Sequence, residues 1–393
     1  MPKLKKNIKL SIYFLKNQIV KKEYISRKWN IFKKSTLLSF NTIYEKIFPN
    51  YEKVFPELKT NFQDQFENLI HEFQKKYPFR KDKLTIEDLK YYEPSIHIWQ
   101  KIASHYDILQ CYSTDPIWAM MGNLKPYVAF EHGTLRDFTM GNTMVHRLTS
   151  LAYRKADHVF ITNGDCLEYA EKLGIQNYSP MLHPIEVQQS NLNVDTSEKV
   201  KKLYNADVLL FCPIRHDWEV KGTHIHLYAL PKICAELPGR TVLLLVNWGK
   251  EVERSRQLVE DLGLSNNVIW LKPLCRKQLI KFMYACDVVL DQMALPHFGA
   301  TAPQALALGI PVIMSYKPES TAWIINEPAP IITAITPDEV VTGVVQALDP
   351  IWKQSFKERA LHWFSTQHHP NKIVSEHLRV YRKLMEEKYE EQL

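Results

Sequence analysis

Residues 283–316 read MYACDVVLDQMALPHFGATAPQALALGIPVIMSY. The apolar run Val288-Val289-Leu290 predicts a buried strand, and His297-Phe298-Gly299 stands in the loop behind it. An alanine-rich helix is expected from Thr301 to Leu308, with Gly309 as its stop and a second strand at Pro311-Val312-Ile313-Met314. A strand, a glycine-bearing loop and a helix N-terminus form an anion site, because the first-turn N–H groups and the helix dipole point at whatever lies above the loop. Gly299 lets the backbone approach a ligand closely, so Gly299, Ala300 and Thr301 are the expected donors of N–H groups. An ordinary α/β unit without a ligand would carry the same elements.

Upstream, Val208-Leu209-Leu210-Phe211 suits a central parallel strand and runs into Pro213-Ile214-Arg215-His216-Asp217-Trp218-Glu219-Val220-Lys221-Gly222. Taken together, the two segments resemble the donor half of GT-B retaining glycosyltransferases. The resemblance is to the family 4-like set (glycosyl transferases group 1), which includes many sucrose, glycogen and cell-envelope glycosyl transferases. That set shows E-x-F-G, four residues, then E-A-x-A-x-G-x-P-V-I. Here Pro296-His297-Phe298-Gly299 is followed, after four residues, by Gln304-Ala305-Leu306-Ala307-Leu308-Gly309-Ile310-Pro311-Val312-Ile313. The frame matches, but Pro296 and Gln304 replace both glutamates. The resemblance implies that Arg215 and Lys221 neutralise a donor diphosphate, arginine as a fork and lysine as a point charge. It also implies that Gln304 meets the ribose and that Phe298 belongs to the donor loop. With no carboxylate at 296, sugar contacts fall to His297 or Asp291.

Toward the N-terminus, Tyr106–Tyr112 and Pro126–Phe130 read as parallel strands around a helix near Ile117–Met121. The second strand runs into Glu131-His132-Gly133-Thr134-Leu135-Arg136, and ligands gather at the carboxyl ends of such strands. Similar glycosyltransferases carry a histidine-glycine pair here. The resemblance therefore makes His132 the catalytic candidate, with Gly133 beside it, facing the donor sugar across an interdomain cleft. A structural histidine is the plainer alternative. Asp157–Asn163 predicts a further strand, and Leu167–Leu173 a helix ended by Gly174.

Beyond Phe211 the alternation continues with strands at Thr241–Val246 and Asn267–Leu271 and helices at Glu251–Leu262, Arg276–Ala285 and Pro337–Leu348. This is the pattern of βαβ units and a parallel sheet. By resemblance the loop Leu271-Lys272-Pro273-Leu274 holds the nucleotide base, with Leu271 and Pro273 contacting it through the backbone. The helix Val374–Glu391 is expected to cross back onto the first domain, and the polar run Gln188–Ser197 to be a linker. The fold class is therefore α/β: GT-B, two Rossmann-like parallel-sheet domains facing across a cleft. The expected divisions are a basic segment 1–34, a first domain 35–190 with a helical opening, a donor domain 201–360 and a returning helix 361–393. Helices are expected at Thr60–Lys76, Glu87–Tyr92 and Ile96–Ser104, and no glycine precedes Gly122. The usual opening βα units must be shortened or replaced.

At 393 residues, with 17 Phe, 19 Tyr and 9 Trp, two sizeable cores are affordable. Six scattered cysteines without paired spacing suggest buried free thiols and a reducing, cytoplasmic compartment. His368-His369 and His224-x-His226 lack partners at ligand spacing, so no metal or cofactor is expected beyond the nucleotide sugar itself. Residues 1–34 hold eleven Lys and Arg against Glu23 alone, a balance of +10, which leaves −3 for the rest of a chain at +7. This segment reads either as a solvated tail or as a strip for an anionic membrane surface. Nothing elsewhere suggests nucleic acid. Its apolar run Leu10–Leu15 is far short of the ~20 residues that span a bilayer. The expected function is transfer of a sugar from a nucleotide diphosphate donor to a glycan or lipid-linked acceptor, metal-independent and with retention. Two alternatives stay open: a catalytically silent binding or scaffold subunit, suggested by the missing glutamates, and a nucleotide-sugar epimerase on the same fold.

Overall fold

The computed structural model describes residues 62–138, 141–187 and 192–390. The basic segment 1–34, the run to residue 61 and the first part of the expected linker lie outside these residues. The chain forms two compact units. Of the described residues, one unit contains those up to Ile161, Asp165–Ser179 and those from Arg379 to residue 390; the other contains Thr162–Gly164 and those between Pro180 and Leu378.

The first unit opens with helices Gln63–Lys76, Ile86–Lys90 and Glu93–Ala103. Their cores are aromatic, with Phe66 and Phe73 each 1% exposed. A four-stranded sheet follows in the order β1 (Leu109–Tyr112), β2 (Tyr127–Phe130), β3 (His158–Ile161), β4 (Tyr178–Pro180). The β1–β2 and β2–β3 pairs are parallel. All of β2 is buried, as a strand covered on both faces must be. Gly174, at φ +67°, ends the helix Leu167–Leu173 in the left-handed conformation that favours glycine. The last helix, Pro370–Glu390, packs its end within this unit, where Tyr381 Oη donates to Gln110 Oε1.

The second unit carries six strands: β5 (Val208–Cys212), β6 (Thr241–Val246), β7 (Val268–Leu271), β8 (Val288–Leu290), β9 (Val312–Met314) and β10 (Ile332–Thr333). All are parallel, in the spatial order β10-β9-β8-β5-β6-β7. Period-two alternation divides them between two cores. Leu209, Phe211, Val242, Leu244, Val289 and Val312 face one side, and Leu210, Cys212, Leu243, Leu245, Val288 and Ile313 the other. Both faces are apolar, which is why these strands read as unbroken hydrophobic runs. Each fully buried Leu, Val or Phe contributes roughly 1.5–3 kcal/mol.

Two expectations need correction, and one element is new. Residues 193–197 are not linker: Asn193 caps a helix, Val194–Leu203, by accepting the Thr196 N–H at 3.0 Å. Asn is among the strongest N-caps, so the polar run marks a helix start. The segment after β5 holds a helical turn, Trp218–Lys221, capped by Asp217. A division at residue 361 falls inside the helix Pro350–Gln367; the break comes at His368-His369, before Pro370 opens the next helix.

Candidate functional site

The strand order of the second unit reverses at β5. The chain proceeds from β5 to β6 on one side and later returns to β5's other side as β8. β5 is therefore the switch point of the sheet, and in doubly wound sheets ligands bind beyond the carboxyl ends of the strands at such a point.

The loop after β5 brings Arg215 and Lys221 to that point. Gly222, at φ +64°, turns the chain from the short turn into the helix Thr223–Glu236. A Cβ at Gly222 would lie 2.9 Å from Met293 Cβ, so glycine is required for the loops after β5 and β8 to touch. The Met293 N–H donates to Lys221 O at 2.8 Å. Lys221 Nζ donates to Gln292 Oε1, and Gln292 Nε2 to His297 O. Arg215 Nε lies 3.4 Å from Asp217 Oδ2 with its guanidinium half-exposed. Asp217 is nearly covered and also receives the Val220 N–H at 3.1 Å.

Asp291 sits at the end of β8, 3% exposed. Burial raises its pKa, while the Lys221 ammonium and the Gln292 and Ala302 N–H groups oppose the rise. Its Oδ1 accepts the Gln292 N–H at 2.8 Å, and the carboxylate is covered beside the opening of the helix Thr301–Ala307. His226 Nε2 donates to Asp291 O at 2.8 Å, and burial pushes that histidine down to about 4. His297 is 8% exposed, and Phe298 packs on Tyr316 and Trp363, so both are chiefly interior residues. Gly299 and Ala300 are exposed, Thr301 and Gln304 half-buried, and nothing lies within 4 Å of a Cβ built on Gly299. Pro303 has no N–H to offer, and Gln304 N–H bonds Ala300 O at 3.2 Å. Leu271 is 9% exposed and its carbonyl accepts the Asn247 N–H at 2.8 Å; Pro273 is exposed beyond it.

In the first unit, His132 is exposed just past β2, its ring 6.3 Å from that of Tyr112. Gly133 adopts φ +104° and its N–H donates to the carboxylate of Glu131. Glu131 is wholly buried, and Cys166 Sγ donates to the same oxygen at 3.2 Å. Desolvation and Glu131 push the Cys166 thiol upward. Glu131 therefore holds the His132–Gly133 turn. Sequence reasoning passed over it, although a lone acid at a buried strand end, directly before His-Gly, was the available signal. Gln292 was missed in the same way, one residue after Asp291. Among the described residues, no group of three His, Cys, Asp or Glu side chains stands ready for a metal ion. No described helix is long and apolar enough to cross a membrane.

Residues 194–348 match the family model of glycosyl transferases group 1. The chain carries a glycosyl transferases group 1 domain. The D-inositol 3-phosphate glycosyltransferase of Corynebacterium urealyticum is 33% identical over 100 residues, 24% of this chain. The matched part is only 24% of that relative's own length. Among solved structures, Anabaena HepE in complex with UDP and glucose aligns with TM-score 0.63 at 17% identity, covering 74% of this chain and 82% of HepE. Sucrose-phosphate synthase from Thermosynechococcus elongatus aligns with TM-score 0.60 at 14% identity, covering 75% of this chain and 78% of that one. These likenesses, with two parallel-sheet units, identify the fold as GT-B. The group 1 domain contains the whole loop after β5 and the whole segment from β8 through β9.

Proposed function

We propose that this protein is a glycosyltransferase that takes a sugar from a nucleotide diphosphate donor. The reading rests on one observation: within a group 1 domain, a loop bearing Arg215 and Lys221 lies at the β5/β8 switch point. Breaking the bond between sugar and diphosphate pushes negative charge onto the leaving phosphates. Fixed cations there stabilise the transition state more than the ground state. Arg215 and Lys221 serve this role, and the exposed Gly299 and Ala300 with the half-buried Thr301 line the same end of the sheet. Gln304, half-buried behind them, has the donor and acceptor groups to meet a ribose diol. His132, on its Glu131-braced turn, is the candidate for the sugar and the reacting centre.

Retention of configuration, independence of metal, and a glycan or lipid-linked acceptor belong to the same proposal. HepE was solved with UDP and glucose, so UDP-sugars are the first donors to try. A thermal-shift panel of UDP-, GDP-, ADP- and CMP-sugars, with and without EDTA, tests the donor reading. Ligand at 100 times its Kd stabilises by about 2.7 kcal/mol. Arg215→Ala and Lys221→Ala should each abolish the shift for the donor that works. A full response in both variants removes the assignment.

One observation favours a second reading, a silent binding subunit. Pro296 supplies no carboxylate, and the nearby Asp291 is buried. Donor binding without hydrolysis or transfer to any acceptor would favour it.

A further inference from the structure

We propose that Lys250, from the loop after β6, is a third cation of the diphosphate site. The inference rests on the donor reading above and adds to it a residue from a second loop.

Two cations from neighbouring strand ends converge on one carboxylate. Arg215 Nε lies 3.4 Å from Asp217 Oδ2, and Lys250 Nζ lies 3.3 Å from Asp217 Oδ1. The Asp217 side chain is 8% exposed, whereas Arg215 is 44% and Lys250 58% exposed. The carboxylate is covered and the cations are open. Each spends one N–H on Asp217 and keeps others for a ligand, since a guanidinium carries five and an ammonium three. Lys221 is held differently, its ammonium donating to Gln292 Oε1 and not to Asp217.

An ordinary surface ion pair is loosely held, but Lys250 is delivered by a clamp between two loops. The His216 N–H donates to Trp248 O at 2.8 Å, and the Glu251 N–H donates to His216 O at 3.0 Å. Gly249, at φ +119°, approaches so closely that a Cβ would lie 2.4 Å from His216 N. The Trp218 N–H donates to the Glu251 carboxylate. Ser255 Oγ bonds both His216 Nδ1 and Trp218 Nε1, each at 2.9 Å. The loops after β5 and β6 therefore form one body, with Lys250 in fixed register with Arg215. Arginine and lysine presented together suit two adjacent phosphate groups.

The test is calorimetric titration of the full chain with UDP, GDP, ADP, inorganic pyrophosphate and the matching unphosphorylated nucleoside, at several salt concentrations. Lys250→Ala should weaken the nucleoside diphosphate and pyrophosphate about tenfold, the cost of one charge-assisted contact. It should leave the nucleoside unchanged and make the salt dependence shallower. Lys250→Arg should stay within about threefold of wild type by keeping the charge. If the alanine variant unfolds, Lys250→Gln keeps the stem and replaces it. Diphosphate affinity within twofold of wild type in the alanine variant, alongside loss of binding in Arg215→Ala, overturns Lys250 while the donor reading stands. Equal weakening of nucleoside and diphosphate also overturns it, since that is the mark of a general loop defect. No response of wild-type protein to any nucleoside diphosphate overturns the donor reading itself, and Lys250 with it.

Discussion

Gly249→Ala probes the joint on which the phosphate-facing loops depend. The native φ of +119° is nearly closed to residues with a Cβ, and such a conformation costs about 1–3 kcal/mol. The added carbon would lie 2.4 Å from His216 N and 2.5 Å from His216 O, both backbone atoms with no rotamer to turn aside. Overpacking of this kind adds about 1–3 kcal/mol. The sum, about 2–6 kcal/mol, should lower the melting temperature of the second unit by roughly 4–24 °C, at 2–4 °C per kcal/mol for a unit of that size. If the loops part to relieve the clash, the thermal loss shrinks, but Lys250 leaves Asp217 and nucleoside diphosphate affinity falls. Gly263→Ala is the control: its φ is +68°, yet nothing lies within 4 Å of the added carbon. It should cost only about 1–2 kcal/mol. Scanning calorimetry with and without nucleotide measures both variants. A Gly249→Ala protein that melts within 1 °C of wild type and binds nucleotide unchanged would refute the clamp.

Acid should destabilise the second unit before carboxylates titrate. His216 and His226, each 1% exposed, are pushed by burial to about 4 from an ordinary 6.5. Because the folded values are depressed, their stability is fully present above 6.5 and is lost as pH falls toward 4. At pH 5 each forfeits roughly 2 kcal/mol, while Asp291, with a raised value, works weakly the other way. Urea midpoints at pH 8 and pH 5 measure the loss, and equal midpoints would contradict it. Native-state alkylation should modify exposed Cys275 first and leave Cys212 and Cys286 untouched, since burial pushes those thiols up. Early labelling of either buried thiol by mass spectrometry would show that strand β5 or the start of β8 opens readily. Arg147→Ala should cost the first unit about 2–4 kcal/mol. It strands Asp88, whose carboxylate receives the guanidinium at 2.8–3.0 Å with both side chains largely covered. Pairing it with Asp88→Leu should recover most of the loss in chemical denaturation, and no recovery would mean the pair is not the cause.

The legible parts of this chain were those with a strong local signature. Val208–Phe211, Thr241–Val246 and Val288–Leu290 are strands because both sheet faces are buried and every position but Thr241 is apolar. Gly174 and Gly309 were readable as stops because positive φ after a helix favours glycine. The helix Pro350–Gln367 gave no such signal, since its apolar residues are spread around it and not gathered on one stripe. Thr223–Glu236 was masked by Pro231 within it and by apolar residues on more than one side.

At the site, the sequence alone determined which charges lie near which strand ends: Arg215 and Lys221 after β5, His132 after β2, the glycine loop before Thr301. Local patterning can do that, because a strand and the turn behind it are contiguous in the chain. Tertiary structure decided what each of those groups meets and how it is held. Lys221 meets Gln292 from 71 residues away, Asp291 turns inward under the next helix, and Lys250 joins Arg215 on Asp217. Those outcomes follow from β5 lying between β6 and β8, and from two glycines without which the loops would collide. Hydrogen-bond register and steric fit between distant strands set them, and neither leaves a period in the sequence.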